Sequence, residues 1–200
     1  MRLTAEIRWF WAGAPSADFQ EWFTGAGPNW VALTDCQTRT DEYLRDNSQS
    51  ILGIKKRGGQ AGVEIKGLIA TRKTTRELAG CFAPVQLWTK WHSNALNIDS
   101  AALIRVQKRR WMRKFRLGAG AAVEGLGPDE QRKSGCDAEL TLLDVQGGVW
   151  WTFGFEAFGE LDRVEDDLAA TVAVIAARNP PLLPRGEASS YPPWLASLRL

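Results

Sequence analysis

Apolar and polar side chains alternate along much of the chain, a period of two that is typical of β-strands. In residues 2–11, one side carries Leu3, Ala5, Ile7, Trp9 and Trp11, and the other carries Thr4, Glu6, Arg8 and Phe10. The apolar side is bulky, whereas the polar side bears charges of both signs. We predict an amphipathic strand here.

Further strands are predicted along the chain, several of them joined by turns that indicate hairpins. They cover residues 39–45, 51–57, 63–68, 136–145 and 149–158. The predicted turns are Asp46-Asn47-Ser48, Gly58-Gly59 and Gly147-Gly148. Within these strands, Lys55 and Arg57 share a face, as do Glu64 and Lys66.

Residues 103–117 carry seven basic side chains and no acidic one. A helix would be basic all round and would lack an apolar stripe, so the pattern favours a strand. One face then presents Lys108, Arg110, Met112 and Lys114, and the other presents Arg109, Trp111, Arg113 and Phe115. These cations require anions, which are solvent ions, the protein's own carboxylates or a phosphorylated ligand.

Two helices are predicted near the ends of the chain. Ser16 is the expected N-cap of the first, which carries Phe19, Trp22 and Phe23 at helical spacing and stops at Gly25. The second covers residues 161–178, with apolar side chains three and four apart. We also expect a short helix at residues 71–80, a short helix or turn at 83–91, and a long loop at 118–135.

Seven or eight strands in near succession leave two architectures open. In a β-sandwich, the charged faces of the strands would be solvated. In a barrel, those faces would converge on a wet lumen, and helices would cover the apolar outside. Residue spacing alone does not choose between them.

The composition of the chain argues against several classes of function. The chain has 200 residues and a net charge of +2, so the basic strand is a local concentration of charge, which argues against a nucleic-acid partner. Three widely spaced cysteines and no signal peptide indicate reduced thiols in a cytoplasmic protein. No apolar run reaches the roughly 18 residues of a membrane span. A single histidine, His92, excludes histidine-cluster metal sites.

The order of several short motifs resembles the CYTH domain, or triphosphate tunnel metalloenzyme, family. The matching segments are AEIRWF, TDEYLRD, ILGIKKRGG, VEIKG, VQKRR, ELTLLD, GFEAFGE and SYPPWL, which together span nearly the whole chain. The resemblance implies an α+β fold: an eight-stranded antiparallel β-barrel, or tunnel, with a polar lumen and flanking helices, including a C-terminal helix. It also implies one domain over residues 1–200, with the Pro-rich tail 181–200 packed on it.

The same resemblance implies a ligand of the triphosphate or polyphosphate type, which is a small anionic phosphorylated molecule. Its phosphates would be held by Arg8, Lys55, Arg57, Lys66, Lys108 and Arg110. Mg²⁺ or Mn²⁺, which prefer oxygen ligands, would be held by Glu6, Glu139 and Glu156. An enzyme of this kind would be a metal-dependent triphosphatase-type hydrolase of phosphoanhydrides, and no catalytic residue is assigned.

The chain departs from the family pattern at two acidic and two basic positions. Arg8 and Gly154 stand where the family has Glu, Phe10 stands for a Lys, and Gly53 stands for an Arg. The remaining Glu residues are metal ligands or, alternatively, counter-ions to Lys108 and Arg110. Most of the predicted phosphate-binding cations are therefore present, whereas part of the family's metal-binding acidic residues is missing.

Three functions stay open: a metal-dependent tunnel hydrolase, a non-catalytic phosphate-ligand-binding protein of the same fold, and an RNA- or membrane-surface binder. The third would use the outer face of the basic strand, through Arg109 and Arg113. We expect Arg109, Arg113 and Arg116 to face solvent rather than a ligand. The ten Trp residues are predicted to pack barrel against helix rather than to stack on bases. A homodimer is left open.

Overall fold

The computed structural model describes residues 2–27, 30–45, 51–99, 102–118, 122–127 and 129–198. The strands are β1 (Arg2–Ala12), β2 (Gln37–Leu44), β3 (Leu52–Arg57), β4 (Val63–Leu78), β5 (Cys81–Ser93), β6 (Leu103–Leu117), β7 (Val123–Leu126), β8 (Gly135–Val145), β9 (Gly148–Gly159) and β10 (Glu187–Ala188). The helices are α1 (Ala17–Thr24), α2 (Val164–Ala176) and α3 (Tyr191–Ser197). The predicted turn at residues 46–48 lies outside the described residues.

Eight strands close into an antiparallel barrel in the order β1-β5-β4-β3-β2-β6-β8-β9, because β9 pairs again with β1. The short strands β7 and β10 pair on the outside of this circuit, with β6 and β1 respectively. This confirms the predicted α+β class and the eight-stranded barrel, and it decides against the sandwich.

The turn between β8 and β9 shows how local sequence sets strand pairing. Its two central residues, Gln146 and Gly147, have φ angles of 52° and 83°. Two positive φ angles define the type I′ turn, whose twist matches that of the flanking strands. The carboxylate of Asp144 also accepts a hydrogen bond of 2.9 Å from the Gly147 amide. The turn was predicted one residue later, at Gly147-Gly148.

The apolar faces of the strands point outward and are covered by α1 and α2. Ala5, Ile7 and Trp9 of β1 form one core with Phe19 and Phe23 of α1 and with Val164, Leu168, Val172 and Ile175 of α2. The Ser16 hydroxyl accepts a hydrogen bond from the Phe19 amide and so caps α1 as predicted. Burying each large apolar side chain stabilises the fold by about 1.5–3 kcal/mol. The charged faces of the strands therefore line the lumen.

At one end of the barrel, α3 packs against lumen-facing apolar side chains. Trp194 is fully buried and stacks on Phe10, with ring centroids 4.2 Å apart. Val106, Leu143 and Val145 complete this second core. Gly53 permits the close approach of α3, since a Cβ there would lie 2.6 Å from the Pro192 Cγ atom. The lumen is therefore apolar at this end and charged beyond it.

Three local predictions were wrong. Residues 71–78 lie in β4, residues 79 and 80 form the turn after it, and residues 83–91 lie in β5. The two strands pair with each other from Leu78 and Cys81 onward. Buried residues recur in β5 with a period of two, at Cys81, Ala83, Val85 and Leu87. The three-residue spacing of Trp88 and Trp91, which suggested a helix or turn, is incidental. The predicted loop at 118–135 contains β7.

Candidate functional site

All nine predicted site residues line one cavity inside the barrel, with a volume of about 610 Å³. This volume lies within the roughly 300–1,000 Å³ that is common for ligand pockets. The basic side chains of the lining are Arg2, Arg8, Arg39, Lys55, Arg57, Lys66, Lys90, Lys108 and Arg110. The acidic ones are Glu6, Glu64, Asp137, Glu139 and Glu156. Basic groups in this lining thus outnumber acidic groups nine to five, or nine to six when the buried carboxylate of Asp41, which contacts three of them, is included.

Strand alternation and register bring these side chains together. Glu6 and Arg8 are two residues apart on β1, so both point inward, as Lys108 and Arg110 do on β6. Across the sheet, Arg8 pairs with Gly154, and Gly154 pairs with Glu139. One row of the lumen therefore runs through Arg8, Gly154 and Glu139. The next row runs through Glu6, Glu156 and Asp137.

The first charged group in the lumen centres on Arg8. Its Nε donates to Glu6 Oε1 at 3.0 Å and its Nη1 donates to Glu139 Oε1 at 3.1 Å. Lys66 also contacts Glu6, and the Arg110 Nε donates to Glu139 Oε2 at 2.8 Å. Burial raises the pKa of Glu6, but Lys66 and Arg8 outweigh it, so the pKa lies below its usual value. Burial also raises the pKa of Glu139, but Arg110 and Arg8 lower it by more. The pKa of Glu139 therefore lies well below its usual range.

The second charged group centres on Asp41, a fully buried residue that was not predicted as part of the site. Its Oδ2 lies 3.0 Å from Lys108 Nζ, 3.1 Å from Arg39 Nη2 and 3.4 Å from Lys55 Nζ. Lys55 also pairs with Glu64 at 3.0 Å. Although burial raises the pKa of Asp41, Lys108 and Lys55 hold it well below its usual value. The carboxylate is ionised at neutral pH.

Lys108 lies deep in the lumen, with 2 % of the residue exposed. Its ammonium donates to the Tyr43 hydroxyl at 2.7 Å and lies 3.7 Å from the centroid of the Tyr191 ring. Burial lowers the pKa of Lys108 well below its usual value, although Asp41 opposes the shift. An added anion would favour the charged form of this lysine.

The positive excess is concentrated around Asp41. Within the described part of the chain, the carboxylates that pair with Arg39, Lys55, Arg57 and Lys108 are those of Asp41 and Glu64. Elsewhere the charges balance more closely: Lys90 pairs with Glu156, and Arg132 pairs with Asp137. The four cations around Asp41 therefore form the part of the lumen best suited to an anion.

Several buried donors in the lining have no hydrogen-bond partner among the described residues. They are the Nε atoms of Arg39 and Arg57 and the hydroxyl of Tyr191. A buried donor without a partner costs about 1–3 kcal/mol, which a ligand rich in acceptor oxygens would recover.

The predicted metal ligands do not fit a divalent ion well. Glu6, Glu139 and Glu156 each contact at least one Lys or Arg. Among the described residues, no group of three or more Asp, Glu, His or Cys side chains is arranged to hold a metal. The Mg²⁺ or Mn²⁺ site stays a prediction, and these pairings speak against it.

The outer face of β6 is not a continuous cationic surface. On this face Arg105 pairs with Glu42 at 3.5 Å. Arg116, on the opposite face of the strand, pairs with Glu124 at 2.7 Å. Arg113, predicted to face solvent, is instead buried. Its guanidinium donates to the carbonyl oxygens of Phe23, Val31 and Gly25, all at 2.8–2.9 Å. Burial and nearby Arg178 lower the pKa of Arg113 to about 10.

Sequence reasoning missed Arg39, Asp41 and Lys90. Arg39, Asp41 and Tyr43 occur at alternate positions of one predicted strand, so the period of two could have placed all three in the lumen. The alternation of Ala83, Val85 and Leu87 places Lys90 on the opposite face of the same strand, but the three-residue spacing of Trp88 and Trp91 predicts a helix or turn there.

Within the described ranges, none of the helices has both the length and the apolar composition needed to cross a bilayer.

No family model and no curated protein matches the chain. One similar solved structure is that of the PH1819 protein from Pyrococcus horikoshii OT3, at 15 % sequence identity over 95 % of this chain and 97 % of that chain. The TM-score is 0.41, too low to support a conclusion about fold or function. The barrel and its charged cavity are therefore established by the chain's own geometry.

Proposed function

We propose that this chain is a CYTH-like tunnel protein that binds a triphosphate- or polyphosphate-type anion in the barrel lumen. The observation that carries the proposal is the convergence of nine basic and five acidic side chains on one cavity of about 610 Å³. The motif order in the sequence supports the same ligand class. Binding rather than hydrolysis is favoured, because the carboxylates that would hold a metal are already paired with cations.

The ligand's terminal phosphate would lie beside Lys108, Lys55 and Arg39. These three basic side chains share the carboxylate of Asp41, and Lys55 also pairs with Glu64, so three basic groups face two carboxylates. Charge-assisted hydrogen bonds to phosphate are about twice as strong as neutral ones. The Tyr191 hydroxyl would add a donor from α3.

The test is calorimetric titration with tripolyphosphate and ATP, with and without Mg²⁺ or Mn²⁺, with phosphate release assayed in parallel. We expect binding without release. Arg57→Gln should weaken binding about 10- to 100-fold, since a charged hydrogen bond contributes about 1.5–3 kcal/mol. Arg57 lies toward the rim of the lumen, with 31 % of its side chain exposed, so the variant should fold. Lys108→Gln should have a similar or larger effect.

The control is Lys73→Gln, which removes one positive charge from an exposed position on β4. Equal weakening by Lys73→Gln and Arg57→Gln would show that the anion binds through general charge and not in the lumen. Metal-dependent phosphate release would establish the hydrolase instead. No heat from the folded protein with either ligand would overturn the proposal.

A further inference from the structure

Arg8 occupies the space between two lumen carboxylates. It bridges Glu6 of its own strand and Glu139 of β8, and it is 5 % exposed. The Nη1 atom of Arg8 also lies 3.4 Å from the Thr152 hydroxyl. Two buried carboxylates that face a common point need a cation there. In this protein that cation is a side chain.

Gly154 provides the room for this arrangement. It lies directly between Arg8 and Glu139 in the register of β1, β9 and β8. A Cβ at residue 154 would approach the Arg8 Cβ and Cγ atoms to 3.0 Å, and the Ile7 carbonyl oxygen to 2.8 Å. A larger side chain would therefore displace the stem of Arg8. The arginine and the glycine are structurally coupled.

The charge around this point disfavours a divalent ion. Glu6 and Glu139 are contacted by three cations, Arg8, Lys66 and Arg110. To bind a metal, the carboxylates would have to release Arg8, which would leave a buried guanidinium unpaired. Arginine is always charged at physiological pH and its fork of donors matches carboxylate geometry, so it remains a permanent counter-ion.

We propose that Arg8 is a built-in cation that takes the place of a divalent metal between Glu6 and Glu139. The lumen consequently accepts polyphosphate in its metal-free form. The second statement rests on the proposed function, whereas the first does not.

The first test titrates Mn²⁺ alone into the protein and follows the free ion by electron paramagnetic resonance. We expect no binding by the wild type at Mn²⁺ concentrations up to about 1 mM. Arg8→Glu replaces a cation with a carboxylate and leaves three carboxylates against Lys66 and Arg110. Its affinity for Mn²⁺ should exceed that of the wild type by at least about tenfold, because the local charge falls by two units.

Two further variants keep this result interpretable. Arg109→Glu makes the same charge change at an exposed position on β6 and should leave Mn²⁺ binding unaltered. Arg8→Gln removes the cation without adding an acid, so it gives a folded comparison if Arg8→Glu does not fold. It should bind Mn²⁺ more tightly than the wild type. Wild-type binding at micromolar Mn²⁺, or the same affinity in all variants, would overturn the role of Arg8.

The second test titrates tripolyphosphate into the wild type in EDTA and in excess Mg²⁺. We expect affinity in EDTA to equal or exceed that in Mg²⁺. Binding that requires Mg²⁺ would overturn the metal-free ligand. Absence of binding in both conditions would refute the proposed function, and the Mn²⁺ titration would still decide the role of Arg8.

Discussion

Asp41→Asn tests the pairing at the most electropositive part of the lumen. The substitution keeps the shape of the side chain but removes the charge that Lys108, Arg39 and Lys55 share. At separations of 3.0–3.4 Å, each pair attracts with about 5 kcal/mol at an effective dielectric constant of about 20. The hydration that these charged groups lose on burial offsets most of the total attraction of the three pairs. Removing one partner of a buried ion pair typically costs about 3–5 kcal/mol, which is the loss we expect.

The assay is urea unfolding followed by tryptophan fluorescence, because urea leaves ionic screening unchanged. With an m-value of about 2 kcal/mol per molar, the midpoint should fall by about 1.5–2.5 M. Asp162→Asn makes the same change at an exposed position and should leave the free energy of unfolding within about 0.5 kcal/mol of the wild-type value. A loss below about 1 kcal/mol in Asp41→Asn would refute the reasoning that this carboxylate holds the cationic cluster together.

The difference in unfolding free energy between the wild type and Asp41→Asn should change with pH in a definite direction. The pKa of Asp41 is lowered on folding, chiefly by Lys108 and Lys55 acting against burial. Its contribution is therefore complete above the unfolded value of about 3.9 and is lost as the pH falls through the folded value. The stability gap between wild type and Asp41→Asn should be full at neutral pH and should narrow below about pH 4. A gap that is unchanged down to pH 2 would show that ionisation of Asp41 is not its source.

Two further substitutions test the packing around the barrel. Trp194→Ala removes a fully buried ring stacked on Phe10 and should cost about 3–5 kcal/mol in urea unfolding. A cost below about 1 kcal/mol would mean that α3 does not hold this end of the lumen. Arg113→Met leaves three carbonyl oxygens without their donor and should speed amide hydrogen exchange in residues 19–27 and 30–33. Unchanged exchange there would contradict an anchoring role for Arg113.

Much of the barrel was predictable from the local pattern. Alternation placed Glu6 with Arg8 and Lys108 with Arg110, and all four line the lumen. The cap at Ser16 and the basic strand at residues 103–117 were also correct. The pattern was misleading where tryptophans happened to lie three residues apart in β5, and where a polar stretch of β4 lacked apolar alternation. The pairing of these two strands outweighs the intrinsic secondary-structure preference of each segment.

The sequence by itself determined which side chains share a strand face, because the period of two is a local property of the backbone. Only the tertiary structure decided which charges meet. Arg8 bridges to Glu139, 131 residues away, and Asp41 meets Lys108 across the β2–β6 pair. Such contacts depend on strand order and register, which are properties of the closed barrel. For the same reason Arg113 is bound by backbone carbonyls from the α1 region and does not face solvent.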